Sequence, residues 1–122
     1  MTRLLCLLCL LCLILAGAML CGCNRVAPAD AREQARGKAL LAAYGCTACH
    51  RIKGLQAGAG NAGPGLEHIA ENSYIAGVLP NTTDAMVRWI VAPRRIIPGT
   101  AMPDLNVSPD EARAMAAYLY HQ

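Results

Sequence analysis

Two cysteines and a histidine stand together as Cys46-Thr47-Ala48-Cys49-His50. Cysteines three positions apart offer two thiols from one short turn, and the next residue adds an imidazole nitrogen beside them. Three chemistries use such a pair. A thioredoxin-like dithiol needs a strand-helix-strand context, and no such pattern surrounds this one. Zinc needs further ligands, and of the chain's 3 histidines only His68 and His121 remain, neither suitably spaced. Covalent haem attachment needs nothing more: each thiol adds to one of the two vinyl groups on a haem edge, and His50 then falls beneath the iron. The motif predicts one haem c per chain, bonded through Cys46 and Cys49 and ligated by His50.

The remaining cysteines belong to a different part of the chain. Of 7 in 122 residues, Cys6, Cys9, Cys12, Cys21 and Cys23 fall in an N-terminal apolar stretch. A multi-disulfide scaffold is thereby excluded, since one close pair cannot staple a fold. The same stretch, residues 4–20, supplies most of the hydrophobic excess behind a mean hydropathy of +0.32. Arg3 before it and small residues after it read as an export signal. At 17 residues it is also at the short limit for a retained spanning helix. Leu20-Cys21-Gly22-Cys23 resembles a bacterial lipoprotein signal, which implies an acylated Cys23 as first mature residue. A lipid anchor, a retained helix and a plain cleaved signal all place the body outside the cytoplasm, on the periplasmic side of a bacterial membrane. The organisation expected is a signal or anchor over 1–23, a linker over 24–29 and one domain over 30–122. Net charge is only +3, with acids and bases interspersed, which is no nucleic-acid footprint.

The elements that must hold the motif are helices. Asp30 and Glu33 form a capping-box pattern that opens a helix, Leu40, Leu41 and Tyr44 fill it, and Gly45 ends it. Gly37 lies inside that helix, where glycine costs about 1 kcal/mol against alanine unless another backbone packs there. Residues 51–65 read as a glycine-rich loop and 66–71 as a short helix. Thr82 or Thr83 caps a helix over 84–91, which Pro93 terminates. A second loop follows over 94–107. The last helix is announced by Ser108, Pro109 and Glu111, with Ala112, Met115, Ala116 and Leu119 as its apolar stripe. No segment alternates as a strand does. The fold expected is all-α, three or four short helices and long loops, and loops this long need something to wrap around.

A second axial ligand has to come from a loop on the other side of the iron. Met86 and Met115 sit on helices, where methionine fills cores. Met102 stands in an extended loop bounded by Pro98, Gly99 and Pro103 with no helical stripe to serve. His68 is its rival.

With these residues in place, the body resembles class I cytochrome c. The likeness is carried by Gly37-Lys38-x-x-Leu41, Cys46-x-x-Cys49-His50, Gly63-Pro64-x-Leu66, the Pro98-Gly99-Thr100-Ala101-Met102-Pro103 stretch and the helix from Ser108 through Leu119. It is most similar to bacterial cytochrome domains that feed terminal oxidases. The resemblance implies that Met102 is the sixth ligand and that the Pro64 carbonyl orients His50. It implies a close crossing of the first and last helices at Gly37 and Tyr118, with Leu41 and Met115 packed nearby. It also implies that Trp89, otherwise a core residue, shields the methionine sulfur. Asn81 is expected to hydrogen-bond a haem propionate.

His/Met ligation raises the potential relative to bis-His haem and leaves no open iron position. The expected function is one-electron carriage in a respiratory chain, from a quinol-oxidising complex or dehydrogenase towards a terminal oxidase. The alternatives are a fixed cytochrome c subunit of a membrane enzyme complex and a haem sensor or peroxidase in which Met102 is displaced. Arg51, Lys53, Arg94 and Arg95 flank the two loops and, if clustered, would steer an acidic partner.

Overall fold

The computed structural model describes residues 28–56 and 62–122. The apolar leader, Cys23, residues 24–27 and the centre of the glycine-rich loop lie outside the described residues. No helix among the described residues is long and apolar enough to cross a membrane.

Helix α1 spans Pro28–Ala43. It starts two residues earlier than the sequence pattern suggests, because proline's fixed φ suits the first helical turn. Asp30 therefore sits in the first turn rather than capping it, and Glu33 pairs with Arg36 at 3.2 Å instead of closing a box. Pro28 and Ala29 belong to the helix and not to the linker. Gly45, with φ at 70°, turns the chain away. There follow a 3₁₀ turn at Cys46–Ala48 and another at Ile69–Glu71, the latter being the short helix expected over 66–71.

Strands β1 (Tyr74–Ile75) and β2 (Leu79–Pro80) pair antiparallel, with Ile75 opposite Leu79. The hairpin is reversed at Ala76 and Gly77, both with positive φ, and closed by Val78 N–H donating to Ile75 O at 3.1 Å. Two residues per strand are too few to show alternation.

Helix α2 spans Thr83–Val91, and Thr82 caps it by accepting from Ala85 N–H at 3.2 Å. Pro93 ends this helix as expected, but it also begins another, α3 (Pro93–Ile96), so the second loop is shorter than the sequence suggests. Ala92 stands between them in a non-helical conformation, which is what a residue before proline adopts. Helix α4 spans Pro109–Tyr120 with a complete capping box between Ser108 and Glu111. Glu111 also accepts from Tyr44 O–H at 3.1 Å, tying the start of α4 to the end of α1. The Ser108 hydrogen bonds hold the Glu111 carboxyl below its ordinary pKa.

The core lies where α1 and α4 cross. Leu41, Ala112, Met115, Ala116 and Leu119 are all buried there. The contact is closest at Gly37, where a Cβ would run into the backbone carbonyl of Ala114. This accounts for the helix-interior glycine. Tyr118 packs one turn further along α4 beside Lys38, the residue after Gly37, with the ammonium 6.0 Å from its ring. Replacing Gly37 by Ala should cost about 1–3 kcal/mol of overpacking, outweighing the ~1 kcal/mol that alanine gains in a helix. Denaturant unfolding of the mature protein checks this. Unchanged or increased stability would show that the helices have room to separate.

Candidate haem site

The Cys46–Ala48 turn is closed by two amides, Cys49 N–H and His50 N–H, which donate to Cys46 O at 3.3 and 3.0 Å. Both thiols are therefore presented from one turn of backbone. Neither is in a disulfide; Cys46 is half-buried and Cys49 exposed. Burial pushes the Cys46 thiol above its usual pKa.

His50 is held from behind. Its Nδ1 lies 2.8 Å from Pro64 O. A carbonyl can only accept, so Nδ1 carries the proton and Nε2 keeps its lone pair. The Pro64 loop is laced to the end of the motif by Gly63 N–H donating to Cys49 O at 3.0 Å and Leu66 N–H donating to Arg51 O at 2.8 Å. Gly63 lies against the imidazole so closely that a Cβ would collide with the ring.

In front of His50 opens a cavity of about 330 Å³. Its wall includes Cys46, His50, Pro64, Trp89 and Met102. Leu41 reaches it from α1, Met86 and Ile90 from α2, Met115 and Leu119 from α4, and Ile75 from the hairpin. Among the described residues, no Asp, Glu, Lys or Arg lines it. The donors in one apolar cavity are thus an imidazole with a free lone pair, a thiol and thioethers, with a second thiol on the same turn. That set and those walls fit an iron porphyrin.

Among the described residues three methionines reach the cavity, and their settings differ. Met86 and Met115 are buried on helices as core residues. Met102 is only half-buried and stands on an irregular segment, where its N–H donates to Thr100 Oγ1 at 3.2 Å. His68 is exposed and pairs with Glu71 at 3.1 Å, and His121 Nδ1 donates to Ala117 O at 2.8 Å. Neither histidine lines the cavity. Trp89 lines it beside Met86 and Ile90.

Asn81 departs from expectation. Its amide nitrogen donates to Ile69 O at 2.6 Å and Asn72 O at 2.7 Å, and its oxygen accepts from Tyr120 O–H at 2.6 Å. Both amide protons are spent within the protein, leaving none for a propionate, and Asn81 is not a cavity residue. It is a structural bracket tying the hairpin to the second 3₁₀ turn and α4. The basic residues also divide. Arg51 pairs with Glu67, while Arg94 and Arg95 are exposed on α3, and none lines the cavity.

Several residues escape a reading of the sequence. Ile97, Leu105 and Val107 line the cavity from a segment without periodicity. Gln122 and Tyr118 grip Lys53, its N–H donating to Gln122 Oε1 at 2.8 Å and its carbonyl accepting from Tyr118 O–H at 2.7 Å. These long-range contacts leave no local signal.

The chain matches the cytochrome c family over residues 34–122 and belongs to it. The mostly helical domain with its loops around an apolar cavity is the class I cytochrome c fold, and membership makes this a haem-based electron-transfer protein. It is similar to cytochrome c oxidase subunit 2 of Alkalihalophilus pseudofirmus, with 29% identity over 85 residues. That alignment takes in 69% of this chain and 24% of the relative, so the chain spans about a quarter of that protein's length. No solved structure matches.

Asn81→Ala should lower stability by about 1–3 kcal/mol, since it strips partners from part-buried polar groups at Ile69 and Tyr120. The visible spectrum of the mature protein should stay as it was. A changed spectrum with unchanged stability would return Asn81 to the cofactor.

Proposed function

We propose that this chain is a one-electron carrier with a single haem c, bonded through Cys46 and Cys49 and ligated by His50 and Met102. The observation that carries the reading is the Nδ1–Pro64 contact at 2.8 Å, which fixes the tautomer of His50 and leaves Nε2 able to donate. When bound, the haem supplies a reversible one-electron couple at iron.

The protein's own residues do the rest. Cys46 and Cys49 hold the group as thioethers. Met102, a soft donor, favours the reduced state and raises the potential. Trp89 and the aliphatic walls exclude water and disfavour the extra charge of the oxidised state. Were His50 and Met102 both to hold the iron, neither substrate nor oxygen would have a place to bind, which favours a carrier over a sensor or peroxidase.

Electrons would pass from a quinol-oxidising complex or dehydrogenase to a terminal oxidase. The similarity to an oxidase subunit supports that direction, and equally supports service as a fixed subunit of such a complex. The leader supports placement on the periplasmic side of a bacterial membrane, held by an acylated Cys23 or a retained helix.

Met102→Ala tests the ligand set. The potential should fall by on the order of 0.1 V, a fraction of the roughly 0.8 V that axial ligands span, and the ferrous form should bind carbon monoxide at neutral pH. An unaltered spectrum and potential would remove Met102 from the iron.

A further inference from the structure

Arg51 and Glu67 take no part in the reading above, yet they close the loop that carries Pro64. Arg51 follows His50 directly, and Glu67 lies three residues beyond Pro64. Their side chains meet with Arg51 Nε donating to Glu67 Oε1 at 3.0 Å. The backbone of the same arginine accepts from Leu66 N–H at 2.8 Å. Arg51 thus grips the Pro64 loop twice, once through its carbonyl and once through its guanidinium. Gly65 lies between Pro64 and the two grips. A Cβ there would strike both the Glu67 carboxylate and the Arg51 guanidinium, so the ion pair runs directly across the peptide that follows Pro64.

We propose that the Arg51–Glu67 pair is a positioning clamp that holds the Pro64 carbonyl against His50 Nδ1 and so sets the donor strength of His50. The inference rests on His50 being an axial ligand, as proposed above. Its logic is that of a ligand supported from behind. A firm Nδ1–H···O bond pushes electron density into the imidazole, strengthens Nε2 as a donor and favours the oxidised iron. Loosening the clamp weakens that bond and raises the potential.

The sign separates a clamp from bare charge. Removing the positive charge of Arg51 acts by Coulomb's law to favour the oxidised centre and lower the potential. A clamp predicts the opposite. In the haem-loaded protein, Arg51→Gln and Glu67→Gln should therefore both raise the midpoint potential. Gly65→Ala, which wedges the pair apart without altering any charge, should raise it too. In each variant the His50 Nδ1 proton, followed by NMR in the reduced state, should exchange with solvent about two- to fivefold faster, as expected for an exposed ion pair. The reversed pair Arg51→Glu with Glu67→Arg should restore both readings.

A fall in potential for Arg51→Gln with a rise for Glu67→Gln would reduce the pair to bare charge and overturn the clamp. So would wild-type potential and exchange in all three single variants. If wild-type protein proves to lack a His50-ligated haem, the function proposed above fails and the clamp fails with it. A normal wild type with indifferent variants sinks the clamp alone.

Discussion

Backbone meets backbone where α1 crosses α4, at Gly37 and Ala114, and the geometry of the domain is built outward from that contact. Because the two helices approach so closely, the end of α1 delivers Cys46 and His50 beside Met115 and Leu119 of α4. Tyr44 and Glu111 fasten one end of the crossing, while Tyr118 and Gln122 fasten the segment after the motif by way of Lys53. Small residues make this possible. Ala112, Ala114 and Ala116 are fully buried and spend almost no volume on themselves. The crossing leaves the space beside it to the cavity.

Such a core is a poor one for a body of about 100 residues, too small to bury much of its surface. Much of what would be interior side chain is instead the lining of an apolar cavity. The long segments between helices follow from this: their described residues drape over the cavity. The same economy sets the chemistry. An apolar wall excludes water, an imidazole is aimed by a carbonyl behind it, and a thioether arrives on a loop. Each is a means of choosing a potential, which is the one property an electron carrier must control.

How much of this was legible in the sequence depended on how local each cause is. The Cys46–His50 spacing is dictated by bond lengths on a haem edge, so it reads without a fold. Ser108, Pro109 and Glu111 cap α4 through neighbours within one turn, and they read equally well. Pro93 was legible only in half. A proline that stops one helix also has the φ needed to start the next, and the two roles look alike in a sequence. The Asp30–Glu33 pattern misled for a related reason, since Pro28 could begin α1 sooner. Asn81 resisted entirely: its partners Ile69, Asn72 and Tyr120 come together only in three dimensions. The cavity wall from Ile97 to Val107 has no period to detect.

The account stands on a porphyrin bonded to two sulfurs of one turn. Intact-mass analysis of the mature chain, made in a host able to install haem c and treated with an alkylating reagent, tests it most directly. The result predicted is the mass of the chain plus one haem, with no alkylated thiol in the peptide that holds Cys46 and Cys49. A haem-free chain with both of those thiols alkylated would contradict it.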